Sequence, residues 1–375
     1  MHNAVNRATA VLMLIFISVM SVMLFFGHKD KRSERENREL AALPDVGLSA
    51  MRDGSFAKDL EHYTADHFPL RDKLIAWDAS IEAQISERIV NGVYITGDRL
   101  IDTGASDRES ADRSAEAINR FRENYSGAVY FVCVPTSSGV YAESLPPYMQ
   151  KNTESRQITA LYSSLSQDIR RVDAYNILKM LNENYVFYRT DTKWTSYGAY
   201  CVYRTVIQKL GFSPTAYDKY TIDHVTDGFR GDLYNRSQYS GVKPDIMDIY
   251  RCSGGAEVLG CVGSDEQGNT YERQLYDKNG LDSDYKYDMY MGAPLPLVKL
   301  TTSVNNERKL LVITDDFGAC FVPFLTQHYS EIDVVRPSEM SGQMSSIIDP
   351  DKYEQVLFLF GIDSMSDSTI FEKLG

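Results

Sequence analysis

The chain has 375 residues, 43% hydrophobic and 11% aromatic, enough for one large core or two modest ones. Its net charge of −13 excludes a nucleic-acid partner held through phosphates, which needs clustered Lys and Arg, and disfavours broad adhesion to anionic lipid or polyanionic wall polymers. Five cysteines (Cys133, Cys201, Cys252, Cys261, Cys320) lack doubled C-x-x-C spacing and the six histidines lack H-x-x-x-H spacing, so no metal is expected and no motif asks for a cofactor.

Residues 1–7 form a short tail. From Ala8 to Gly27 the sequence is apolar and uncharged, long enough as a helix to cross a bilayer core of about 30 Å. A cleaved signal peptide would carry a shorter apolar region and a small-x-small site. Here Met23-Leu24-Phe25-Phe26 runs straight into Gly27-His28-Lys29, which favours an uncleaved single-pass anchor in the cell membrane. Charge alone leaves the orientation open. Lys29, Lys31, Arg32, Arg35 and Arg38 follow the helix, but a short N-terminal tail normally stays inside and long domains translocate regardless of charge.

A charged stalk occupies residues 28–50, and the large domain is expected over 51–375. Helices are predicted over 56–66 and about 71–88, separated by Phe68-Pro69-Leu70. A hairpin follows, pairing Gly92–Ile95 with Leu100–Ile101. A helix over 110–124 then precedes Ala128–Val134, a continuous apolar run suited to a buried parallel strand. Helices are read over 156–169 and 175–183 with a short strand near Val172. A further helix over 195–210 places Tyr200, Tyr203, Ile207 and Leu210 on one face. Residues from about 213 to 300, rich in Gly, Tyr and Asp, read as an insertion of turns and β-hairpins. Within it Cys252 and Cys261 flank a Gly-rich stretch and can either close a small disulfide loop or stand as free thiols. Strand 309–313, helix 319–328 and strands 331–335 and 355–360 complete the pattern. Strands alternating with helices imply an α/β fold, a mostly parallel sheet in a three-layer sandwich, with its site at the C-terminal strand ends. The loops 135–138, 314–318 and 361–364 are therefore candidates.

Two motifs carry chemistry. Asp191-Thr192-Lys193-Trp194 stands just before a helix, and Val312-Ile313-Thr314-Asp315-Asp316-Phe317-Gly318 lies on a strand-to-helix turn. They resemble the DHHW family and, more distantly, the alginate O-acetylation proteins, both of the SGNH-hydrolase-like type. In that family an Asp-x-His-Trp motif supplies the acid and base of a triad, and a strand-ending Asp-Ser-Tyr/Phe motif supplies the nucleophile. The resemblance extends to Glu36–Ala41, Asp66–Asp72, Gly92–Ile95, Val134-Pro135-Thr136, Phe229–Tyr234 and Tyr353–Leu359, covering about residue 33 to the end. It implies an SGNH-like fold and an extracytoplasmic large domain acting in O-acylation of a cell-surface polysaccharide or wall polymer, beside a multi-pass membrane-bound O-acyltransferase.

The departures are specific. Lys193 stands where the family has His, and Asp316 where it has the nucleophilic Ser; Asp191 and Trp194 remain. Lysine is protonated at neutral pH unless strongly desolvated, and a carboxylate at a helix start is a poor nucleophile. The triad-equivalent positions Asp191, Lys193 and Asp316 are thus expected to be inactive and to form a charge-assisted network. Asp316 or Asp315 can also serve as a helix N-cap. Trp194, Asp315 and Arg336 are candidate substrate contacts, with core packing the alternative for Trp194; His67 and His328 have no evident chemical role. Three functions stand open: a non-catalytic accessory in O-acylation, a scaffold without ligand, or an active acetyltransferase or esterase. The last would use Asp316, Ser137, Ser138 or Thr314 as nucleophile with Lys193 as base.

Overall fold

The computed structural model describes residues 2–104, 108–149, 154–283 and 285–374. Packing divides the chain into two units, residues 1–91 with 234–241, and residues 92–233 with 242–375.

The first unit begins with helix α1 (His2–Phe26); its Val5–Phe26 segment has a mean hydropathy of 2.6, is unburied and is long and apolar enough to cross a membrane. Helices α2 (Ser55–Asp66) and α3 (Arg71–Ile85) follow a two-residue strand pairing of Arg32–Ser33 with Arg38–Glu39. α3 stops three residues short of the expected end, because the backbone turns to positive φ at Glu87 and Arg88. The stalk block docks here through charge. Arg38 Nη1 donates to Asp66 Oδ2 at 2.9 Å, and Arg71 Nη2 donates to Glu36 Oε1 at 3.0 Å. The Arg38 hydrogen bonds hold the Asp66 carboxyl down at about 2, well below its ordinary value. Two sequence blocks some thirty residues apart are thereby fixed to one another.

The second unit opens with the expected hairpin, β1 (Val93–Ile95) against β2 (Leu100–Asp102). Helix α4 (Arg108–Asn124) leads to β3 (Ala128–Val134), α5 (Glu154–Ser164) to β4 (Arg170–Val172), and α6 (Ala174–Met180) to α7 (Ser196–Lys209). Beyond them come β5 (Tyr220–Phe229), α8 (Asp232–Ser237), β6 (Asp245–Cys252), β7 (Val258–Ser264), β8 (Thr270–Glu272) and β9 (Leu297–Thr302). The chain closes with β10 (Lys309–Thr314), α9 (Phe317–Leu325), β11 (Glu331–Val335) and β12 (Gln355–Gly361).

The main sheet runs β8-β7-β9-β11-β10-β12-β3-β4. Strands β11, β10, β12, β3 and β4 are parallel, with Val312 opposite Leu357 and Gly361 opposite Val134. Alternation along these buried strands sends Val129, Phe131, Leu311, Ile313, Val356 and Phe358 into one core with Ile118 and Phe121 of α4 and Ile158 and Leu161 of α5. Helices α7 and α9 pack on the sheet outside that core, which makes the third layer of the expected sandwich.

The region expected as an insertion of turns and β-hairpins holds two sets of antiparallel strands. β5 and β6 form their own antiparallel pair, whereas β7, β8 and β9 extend the main sheet antiparallel through β9–β11. This covers an edge of β11 that would otherwise present unpaired backbone groups. The same division separates Cys252, at the end of β6, from Cys261 on β7, and both are free thiols.

Candidate active site

Three strand ends meet. The ends of β3, β10 and β12 lie side by side, so Val134–Ser137, Asp315–Phe317 and Gly361–Ser364 line one cavity of about 110 Å³ with Asp102, Thr192 and Lys193. The three predicted loops therefore converge, and the 191–193 loop joins them.

Asp245, fully buried, builds the 189–191 loop. It accepts hydrogen bonds from the backbone N–H groups of Arg189 and Thr190, both at 2.8 Å, from Thr190 Oγ1 at 2.5 Å, and from the Tyr185 hydroxyl. Asp191, also fully buried, accepts from the backbone of Lys193 and of Asp232, each at 2.9 Å. Gly231 is required here, since a Cβ would stand 2.1 Å from Asp191 Oδ2. Burial pushes the Asp191 carboxyl above its ordinary value; the Lys193 charge and the two N–H donors counter this. Thr195 caps α7, accepting from Gly198 N at 3.1 Å, and so sets the helix that follows the motif.

Across the cavity, Asp315 clamps the turn after β10. Its carboxylate accepts from Phe317 N at 2.9 Å, Gly361 N at 2.8 Å and Ser364 Oγ at 2.6 Å. Asp315 rather than Asp316 thus satisfies the start of α9, and Asp316 makes no capping hydrogen bond. Asp316 instead accepts from Arg336 Nη1 at 3.0 Å and lies 3.8 Å from Lys193 Nζ. Arg336, at the end of β11, is only 5% exposed.

The expected cluster differs in detail: Asp191 meets the backbone of Lys193 rather than its ammonium, Lys193 Nζ donates to Thr192 Oγ1 at 3.1 Å and lies within ion-pair distance of Asp316, and Arg336 is the second cation on Asp316. Burial alone would push the Lys193 ammonium down, yet the carboxylates of Asp191, Asp316, Asp315 and Asp232 outweigh it and hold its pKa above the ordinary lysine value. A general base needs the opposite shift. Two of the alternative hydroxyls are engaged: Thr314 Oγ1 donates to Leu359 O at 2.6 Å and Ser138 Oγ pairs with Thr136 Oγ1 at 2.7 Å; Ser137 is largely buried but lines the cavity.

The substrate contact expected at Trp194 needs correction. Trp194 has no exposed surface; it stacks on Phe321, meets Phe317 edge-on, and donates from Nε1 to Phe317 O at 3.1 Å. Its ring faces are used by the core. Asp315 lines the cavity while its carboxylate also holds the turn. His328 is buried beside Tyr203, its pKa pushed down to about 4 by burial, and His67 bonds to Ala41 O at 2.9 Å, so both are structural.

Several residues were not singled out from sequence. Asp102 ends the hairpin's second strand, Asp363 and Ser364 sit in the third candidate loop, and Glu154 starts α5. Glu154 accepts from Thr136 N at 2.8 Å and pairs with Thr136 Oγ1 at 2.6 Å, fixing the first loop; burial pushes its carboxyl up to about 7. Asp245 gave no signal, being one aspartate in an insertion rich in them.

A mostly parallel sheet with strand ends converging on a motif loop and a strand-to-helix turn defines an α/β protein with its site at the C-terminal strand ends. More narrowly, the chain belongs to the DHHW family, whose sequence model (DHHW protein) matches residues 83–335. A DHHW family protein from Eubacterium siraeum is similar over 76% of this chain and 97% of its own, at 24% identity and a TM-score of 0.64. Bacillus cereus PatB1, solved with a sulfonyl adduct, is similar over 76% and 98%, at 17% identity and a TM-score of 0.64. The O-acetyltransferase domain of Pseudomonas putida AlgJ overlaps more loosely, over 73% and 92%, at 14% identity and a TM-score of 0.43. No curated protein matches the chain.

Proposed function

We propose that this is a membrane-anchored, catalytically degenerate member of its family, an accessory in O-acylation of a cell-surface polysaccharide or wall polymer. The observation that carries the reading is the Lys193–Asp316–Arg336 ion-pair network, which stands where the family motif calls for histidine and serine. A protonated lysine cannot take the proton of a nucleophile, and Asp316 is tied to two cations. Loss of a single triad member can already cost on the order of 10⁶ in turnover.

The acylation context comes from the motif resemblance, and the polymer, a multi-pass O-acyltransferase partner and the outward-facing large domain come with it. Anchoring rests on the apolar Val5–Phe26 segment, and the cavity at the strand ends is the place for polymer or partner to bind. The test is complementation: the gene is deleted and polymer O-acetylation measured by ester release. Deletion lowers acetylation, and a Lys193→Ala chain present at wild-type level restores it. Failure of that variant to restore acetylation, while remaining folded, contradicts a non-catalytic role.

A further inference from the structure

The exposed face of α3 has no role in the fold described so far. Ala79 and Ala83 turn one side of the helix into its own unit, whereas Leu74, Trp77, Ile81 and Ile85 are 44%, 65%, 40% and 79% exposed. Their spacing of three, four and four residues places them in one stripe. Contiguous apolar surface of this kind marks an interaction site.

We propose that this stripe pairs in parallel with the same stripe of a second copy of the chain. Three features favour that occupant. The stripe is narrow, with Lys73 along one edge and Asp78 and Glu82 along the other, the pattern of a helix–helix seam. A helix lying in a bilayer surface presents a broad apolar face bordered by Lys and Arg. Next, with Leu74, Trp77 and Ile81 as the seam, Lys73 just precedes it and Asp78 follows five residues on, the flanking positions that meet across a parallel pair. Each copy would offer Lys73 to its partner's acid and accept the reverse. Finally, α1 and α3 belong to one unit, and a recess of about 770 Å³ is lined both by Met23, Gly27 and His28 and by the 66–73 segment that leads into α3. Two copies anchored in one bilayer therefore present their stripes at the same height and polarity, and tethering raises their effective concentration. The parallel orientation rests on the anchored reading proposed above; the seam rests on α3 alone.

The test uses the full chain in native membranes with oxidative crosslinking. Ile81→Cys, on the seam, should give dimer at about tenfold the yield of Asp72→Cys, on the opposite face. Lys73→Asp should lower the Ile81→Cys yield several-fold, and adding Asp78→Lys should restore it. Equal yields at positions 81 and 72, or no restoration by the double reversal, overturn the proposal. Brominated lipid provides a second readout, because Trp194 is buried and Trp77 is exposed. Strong quenching of Trp77 would mean that lipid covers the stripe, and overturns pairing; protection from quenching supports it. Carbonate extraction reads anchoring separately: a chain released by carbonate that still pairs at position 81 removes the anchor and leaves the seam.

Discussion

Replacing Lys193 by Met, which keeps most of the side chain's volume, removes one cation from the network. Two unit charges 3.8 Å apart attract by about 4 kcal/mol at an effective dielectric near 20. The Lys193 side chain is 17% exposed and that of Asp316 is 39%, so desolvation and screening remove more than half of this. Arg336 also remains to hold Asp316. The expected net loss is about 1–2 kcal/mol, or a Tm lower by about 2 °C in a chain this size. A thermal double-mutant cycle with Asp316→Asn isolates the pair, and a coupling of about 1 kcal/mol is expected. Because the folded pKa of Lys193 lies above the ordinary lysine value, this stability is fully present below about pH 10 and lost as pH rises through the folded pKa. Undiminished stability in Lys193→Met, or no coupling in the cycle, would refute the ion pair.

Glu154 gives a fall in the same direction at lower pH. Its folded carboxyl is raised to about 7, so stability falls as pH climbs from the unfolded value near 4.5 through 7; Glu154→Gln should flatten that slope and raise Tm at pH 8, as read by thermal melts. Gly231→Ala should destabilise by about 2–4 kcal/mol in chemical denaturation, because its methyl would meet the Asp191 carboxylate. A sulfonyl fluoride should leave position 316 of the wild type unmodified in peptide mass spectrometry, whereas the Lys193→His/Asp316→Ser double variant should be labelled there.

Much of this architecture is legible in the sequence because its signals are local. The apolar run Ala128–Val134 and the Tyr200–Leu210 face need no partner to be read, and the three loops at strand ends follow from the α/β rule. What escaped depends on contacts distant in sequence. Asp245 reaches 55 residues back to Thr190, and Arg336 reaches 20 residues to Asp316. No spacing rule encodes either. The sheet role of β7–β9 was hidden for the same reason: short Gly-rich strands look alike whether they form a separate hairpin or pair with β11. Trp194 shows the complementary limit. Its motif marks an important position, but only its neighbours Phe317 and Phe321 show that the indole belongs to the core.

On the proposed function, the site has exchanged catalysis for charge pairing. Acetyl-ester hydrolysis by the purified full chain, set beside Lys193→Ala, tests it most directly. The wild type should release acetate no faster than buffer, and the variant should be the same. Ester turnover by the wild type that disappears in Lys193→Ala would contradict the account.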